Sequence, residues 1–221
     1  IMPSLVGSEM CIRDRDIGRP LHAYDIDKIK GTTLKISKSK KGDKFFALNG
    51  NTYELDDNML VISDEQSIDD LAGIMGGERT GVTENTTRMF LEAAIFDPVS
   101  IANTGRKLNL NSDARYRFER GLDYNSPETV MHYAAAMVKK ICGGKVSKIV
   151  NFKLEQKNRI IKFDPNIIYQ LTGVKIENEL SKSILEKLGF QILSQDDVWD
   201  ITPPSWRPDI CLLYTSPSPR D

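Results

Sequence analysis

The sequence is poor in the residues that build metal centres and disulfides, with 3 cysteines and 2 histidines among 221 residues. Cys11, Cys142 and Cys211 have no metal-ligand spacing, and His22 and His132 lie far apart. A zinc site needs about four clustered ligands and finds no candidate set here. Unpatterned cysteines point to a reducing compartment, so the expected location is cytoplasmic. There is no run of about 18 apolar residues from which to build a membrane-spanning helix. The N-terminus also lacks the basic stretch and apolar core of a signal peptide. Charge of one sign is missing too: 30 Lys and Arg stand against 31 Asp and Glu, a net charge of -1. Phosphate neutralisation dominates nucleic-acid affinity, so a protein that held nucleic acid by its own field would be basic. Any such contact must be local or shared with partner chains. What is present is ordinary for a globular chain, 40% hydrophobic and 28% charged. The length accommodates one large domain or two modest ones with real cores.

The two ends read as foreign text. Residues 6–15, Val-Gly-Ser-Glu-Met-Cys-Ile-Arg-Asp-Arg, and 211–221, Cys-Leu-Leu-Tyr-Thr-Ser-Pro-Ser-Pro-Arg-Asp, resemble translated sequencing-adapter read-through. Residues 1–15 and 211–221 are therefore expected to be non-native and are kept out of fold reasoning. Natural disordered tails are the alternative.

Between them, Gly31 to Ser63 has a β pattern. Thr33-Leu-Lys-Ile-Ser37 alternates, Lys41-Gly42-Asp43 is turn-like, and Asn49-Gly50 between short apolar runs is a strong hairpin signal. Leu60 to Ser63 predicts a further strand. Leu71 to Met75 meets Gly76-Gly77, a break that permits close backbone approach. Arg88 to Phe96 predicts a buried strand with one acid, Glu92, inside it. Asp97-Pro98 then opens a helix to about Leu108. Ser126-Pro127-Glu128 opens another, with Val130, Ala134, Met137, Val138 and Ile141 on one face and Gly143-Gly144 at its end. Lys145 to Lys153 predicts an outgoing strand, and Glu155 to Arg159 a polar linker. The second unit predicts a strand at Ile160 to Phe163, a helix opened by Asp164-Pro165, and a helix from about Glu177 to Leu188. Strands at Phe190 to Ser194 and Val198 to Ile201 complete it. Two helices followed by a β ribbon is a winged-helix-like order.

No catalytic signature stands out: there is no nucleophile elbow, phosphate-binding glycine loop or paired His/carboxylate motif. Glu92 draws attention because a carboxylate inside an apolar strand is costly unless something pairs with it. The partner is either an arginine (Arg88, Arg117 or Arg120) or a ligand. His22 and the Ala72-Gly73 break are the other unusual positions.

Four segments recur in a familiar order. They are Gly18-Arg-Pro-Leu-His-Ala-Tyr-Asp25, Leu71-Ala-Gly-Ile-Met-Gly-Gly77, Leu91-Glu-Ala-Ala-Ile-Phe-Asp-Pro98 and Ser112-Asp-Ala-Arg-Tyr-Arg-Phe-Glu-Arg-Gly-Leu-Asp123. With their spacing they resemble the editing domain of the bacterial phenylalanyl-tRNA synthetase β subunit. Leu188-Gly-Phe190 and Pro204-Ser-Trp-Arg-Pro-Asp-Ile210 resemble the small domain that follows it. The resemblance spans nearly all of Asp16 to Ile210. It implies an α+β fold: a mixed-sheet editing domain over residues 16–157, truncated at its N-terminal side, and a small winged-helix-like α+β domain over residues 158–210, incomplete at its C-terminal side.

The implied function is post-transfer editing, the hydrolysis of tyrosine mischarged onto tRNA(Phe), within a phenylalanine–tRNA ligase. An apolar pocket rejects an added hydroxyl only weakly, by about 10² in rate, so a second, hydrolytic sieve is needed. By the resemblance Glu92 accepts the tyrosine phenol, and Ala72 and Gly73 leave room for its ring. Close strand packing also accounts for those two small residues. His22 is implied at the catalytic edge of the pocket, placing the hydrolytic water or the terminal ribose rather than acting as a general base. A hydrogen-bonded loop histidine is its alternative. The resemblance also implies tRNA(Phe) and an α subunit as partners in an α2β2 tetramer, with aminoacylation in the α subunit. It implies no cofactor within this stretch, and ATP and Mg for the whole enzyme. One departure stands out: the family's pocket threonine falls at Met10, inside the adapter-like text.

Arg115, Arg117 and Arg120 invite a tRNA-contact reading, but their interleaving with Tyr116, Phe118 and Glu119 favours internal ion pairs. Two other readings remain at this point: a free-standing editing hydrolase acting in trans, and a non-catalytic nucleic-acid-binding module.

Overall fold

Short apolar runs separated by turn residues become short antiparallel strands in the computed structural model, which describes residues 17–152 and 159–210. Contacts divide the chain into two units, at Val150 and Asn151. The linker expected at residues 155–159 falls, apart from Arg159, outside the described residues, as do Met10 and both adapter-like ends.

The first unit begins with β1 (His22–Asp25), β2 (Lys35–Lys38), β3 (Lys44–Phe46) and β4 (Thr52–Glu54). It continues with β5 (Leu60–Ser63), β6 (Ile68–Leu71), β7 (Met75–Gly76) and β8 (Met89–Glu92). Three helices follow, α1 (Pro98–Lys107), α2 (Asp113–Phe118) and α3 (Pro127–Cys142). The strands form ladders in the orders β2-β5-β6-β7, β3-β4 and β1-β8. A mixed sheet is the expectation; every ladder among the described residues is antiparallel. Most of the connections are too short for a parallel crossover, which needs a dozen or more residues.

The Asn49-Gly50 signal does produce a hairpin: Phe46 faces Thr52, and Gly50 adopts a positive φ of 78°. The loop is longer than a two-residue turn, because Ala47 N–H reaches Asn51 O and Gly50 N–H reaches Ala47 O. Asp97 accepts from Ser100 N–H and caps α1 as the sequence predicts. Ser112 caps α2 through Arg115 N–H. The core of this unit packs Phe45, Val61 and Leu71 from the strands, and Leu55 just after β4, against Ile101 and Phe118 from the helices.

Three expectations are corrected. The strand predicted over 88–96 stops at Glu92, because β1, its partner, is only four residues long. Beyond it, Ala94 O accepts from the buried Arg19 guanidinium, which also bonds Asp123 O and Ser126 Oγ. Only Val130 and Ala134 of the predicted α3 face are buried, and Ile141 is exposed. Residues 145–152 form no strand. A strand needs a neighbour for its N–H and C=O groups, and none runs alongside among the described residues.

The second unit is β9 (Ile161–Phe163), α4 (Asn166–Thr172), α5 (Asn178–Lys187), β10 (Gln191–Gln195) and β11 (Trp199–Thr202). Its sheet has the order β10-β11-β9 and is antiparallel, which adds β9 to the predicted ribbon. Trp199 and Ile201 on β11 are buried against Phe163, Leu185 and Phe190. Leu188-Gly-Phe190 and the Trp206 segment meet in space, since a Cβ on Gly189 would lie 2.8 Å from the Trp206 ring. The α+β class expected for both units is what the chain adopts.

Candidate functional site

Side chains alternate along a strand, so His22 and Tyr24 project from the same face of β1. The register places His22 opposite Glu92 on β8, on that same face. Asp70 on β6 stands opposite Gly76 on β7. These two ladders meet through the Tyr24 side chain, which is fully buried. Its hydroxyl oxygen lies 2.9 Å from Glu92 Oε2 and 3.2 Å from Asp70 Oδ2. The His22 ring packs edge-on against the Tyr24 ring, with centroids 4.4 Å apart. Its Nε2 is 3.6 Å from Asp70 Oδ2, beyond a good hydrogen bond, and both Nε2 and Asp70 Oδ1 are buried without a hydrogen-bond partner.

Glycine permits this assembly. A Cβ on Gly76 would meet His22 Cε1 at 2.3 Å and Nε2 at 2.9 Å. The β6–β7 turn needs its own glycine: Gly73 has φ +70°, and its Cβ would approach the Phe96 ring to 2.7 Å.

His22, Asp70, Gly73, Gly76 and Glu92 line a cavity of about 70 Å³, with Phe96 and Phe118 as apolar wall. Ordinary ligand clefts hold about 300–1,000 Å³, so this one admits a side-chain-sized group or waters. Burial favours the neutral form of each acid here. It pushes the Glu92 carboxyl up to about 7, with the Asp70 charge adding to the effect and His22 opposing it. Asp70 is pushed up to about 8, again chiefly by burial. Burial lowers the pKa of His22, with Glu92 opposing, and raises that of Tyr24, with Asp70 and Glu92 adding.

The four expected site residues are therefore divided. His22, Gly73 and Glu92 share one cavity, whereas Ala72 is wholly buried in the apolar core and is not on the cavity wall. Glu92 bonds Tyr24; Arg88 pairs with Asp27, and Arg120 with Glu119. Arg120 also stacks 3.7 Å from the Tyr116 ring centroid. Arg115 is tied internally to Glu119, Leu110 O and Asn111. Sequence reasoning missed Asp70 and Tyr24, and read Gly76 as a point of close approach without naming His22 as what approaches it. The available signal was Asp69-Asp70 between the apolar Ile68 and Leu71, an anomaly akin to the one that singled out Glu92. Of that pair, Asp69 turns to Arg79 and Asp70 turns to the cavity. Among the described residues no group of three or more His, Cys, Asp or Glu could hold a metal ion. No described helix is long and apolar enough to cross a membrane.

A strand-built unit with a small acid-lined cavity, followed by a separate α+β unit, is a two-domain arrangement with matches among known families. The B3/4 domain model matches residues 15–143, and the tRNA synthetase B5 domain model matches residues 161–211. The phenylalanine–tRNA ligase β subunit of Bartonella henselae is 46% identical over 88% of this chain and 24% of its own length. That of Paramagnetospirillum magneticum is 43% identical over the same shares. An N-terminal fragment of the phenylalanyl-tRNA synthetase β-subunit from Pyrococcus horikoshii is similar at TM-score 0.42 and 19% identity. It covers 92% of this chain and 59% of that one, a likeness too slight to bear on function. The chain belongs to the B3/4 domain family and, with its B5 unit, to the phenylalanine–tRNA ligase β-subunit family. It spans about a quarter of the length of the curated relatives it matches.

Proposed function

We propose that the first unit is the proofreading part of a phenylalanine–tRNA ligase β subunit, hydrolysing tyrosyl-tRNA(Phe). The observation that carries this reading is Glu92, a carboxylate set in a small cavity beside His22 and walled by Phe96 and Phe118. A phenol entering that cavity donates to Glu92, and phenylalanine has no such donor. The discrimination thus falls on the wrong amino acid alone. His22 stands at the same cavity and orients the water or the ribose hydroxyl. Gly73 leaves the ring its space, and Ala72 supports the turn from behind. Neither the side-chain hydrogen bonds nor the low net charge call for a nucleic-acid grip of the unit's own, so tRNA is held jointly with an α subunit in an α2β2 cytoplasmic enzyme. ATP and Mg serve aminoacylation there and take no part in hydrolysis.

The test is Glu92→Ala in a full-length β subunit carrying these residues and assembled with its α partner. A hydrogen bond to a charged acceptor contributes about 1.5–3 kcal/mol. Tyrosyl-tRNA hydrolysis should slow by roughly 10- to 150-fold, with phenylalanine charging almost unchanged. Normal editing by the variant would refute the assignment.

A further inference from the structure

The Tyr24 hydroxyl has one proton and two carboxyl neighbours, Glu92 Oε2 at 2.9 Å and Asp70 Oδ2 at 3.2 Å. It can donate fully to only one of them. The other carboxyl, if ionised, would press a negative oxygen against the hydroxyl lone pairs inside a buried site. If protonated, it donates to Tyr24 instead. The shorter contact marks the bond that Tyr24 donates.

We propose that Asp70 and Tyr24 are positioning residues that hold Glu92 as the acceptor: neutral Asp70 donates to Tyr24, and Tyr24 donates to the Glu92 carboxylate. This relay leaves Glu92 Oε1 for a hydroxyl-bearing ligand. It deepens the editing reading and rests on it only for the identity of that ligand.

Three observations converge on Asp70 as the neutral partner. It is the more deeply buried of the two acids, so ionising it costs more. Its Oδ1 is buried without a hydrogen-bond partner, tolerable for a carbonyl oxygen and costly for a carboxylate. The pKa of Asp70 is also raised further than that of Glu92. The groups that bear on the relay come from every surrounding element. His22, from β1, opposes the rise at Glu92, and Asp69 on β6, itself paired with Arg79, adds to the rise at Asp70. β7 presents Gly76, and α2 presents Ala114 and Phe118. No described arginine or lysine neutralises either acid.

The experiment follows the carboxyl carbons of Asp70 and Glu92 by ¹³C NMR titration of the intact chain and of Tyr24→Phe. In the parent, Asp70 should lose its proton last. Removing the hydroxyl takes a donor from ionised Glu92 and an acceptor from neutral Asp70. The Glu92 midpoint should therefore rise and the Asp70 midpoint fall, each by about one pH unit. A rise at both acids, or an Asp70 that titrates in the ordinary carboxylate range in the parent chain, would overturn the relay. Asp70→Asn provides a second readout in the full-length enzyme. Its amide still donates to Tyr24, so the preference for tyrosyl over phenylalanyl ester should persist at neutral pH. Loss of that preference at neutral pH, with Glu92 titrating as in the parent, would refute the role of Asp70. An absent tyrosine preference in the parent enzyme would sink the editing reading, while the titration still decides the relay.

Discussion

His22 lies where a side chain on Gly76 would have to be: the nearest imidazole atom is 2.3 Å from an added Cβ. The imidazole also packs against the Tyr24 ring. A methyl group at residue 76 therefore moves the histidine or moves strand β7.

Gly76→Ala should displace His22 from the cavity and cost about 1–3 kcal/mol of stability, the usual range for overpacking. Tyrosyl-tRNA hydrolysis should drop at least as far as in His22→Ala, and thermal unfolding should report the strain. Unchanged hydrolysis would show that the His22 position is not needed.

Ala72→Trp separates pocket filling from core disruption. Ala72 is wholly buried among core side chains rather than on the cavity wall. The large ring should lower the melting temperature sharply and impair every activity of the subunit together. Loss of editing alone, with the melting temperature intact, would place residue 72 at the pocket after all.

Acid should stabilise this unit between about pH 8 and pH 7; below the ordinary imidazole value of 6.5, His22, whose pKa burial lowers, acts in the opposite sense. Asp70 and Glu92 have folded-state pKa values raised above those of the unfolded chain, chiefly by burial. The folded state thus binds more protons over that range, and stability is lost as pH rises through their folded values. Asp64 acts in the opposite sense, because hydrogen bonds outweigh its burial and hold it down to about 2. Its contribution is lost only at much lower pH. Melting temperature against pH should slope downward toward pH 8 in the parent and flatten in Asp70→Asn. An equal slope in both would remove Asp70 as the cause.

Gly189→Ala tests the second unit independently. Gly189 has φ +90°, and an added Cβ would meet the Trp206 ring at 2.8 Å. Left-handed backbone costs a residue with a Cβ about 1–2 kcal/mol, and the clash adds to this. The near-ultraviolet circular dichroism of the tryptophans should change. A neutral effect would mean that the Trp206 segment is not packed there.

Local chemistry was legible in the sequence. The Asp97-Pro98 cap, the Asn49-Gly50 hairpin and the Gly143 helix end each depend on a few neighbouring residues. The strand predicted to Phe96 failed because its length depended on a partner only four residues long. Glu92 was legible as an anomaly, but its partner was not. Tyr24 lies 46 residues from Asp70 and 68 from Glu92 along the chain. Those three meet only because two ladders adopt one register each and are then brought together at the Tyr24 side chain. A shift of one residue in either ladder would turn its acid to the opposite side. The sequence by itself determined the turns, the caps and the family. The tertiary structure alone decided which carboxyls share one hydroxyl and which small residue, Gly76 or Ala72, makes room for the site. Register and packing are set by the whole core and leave no signature within a few residues of the site.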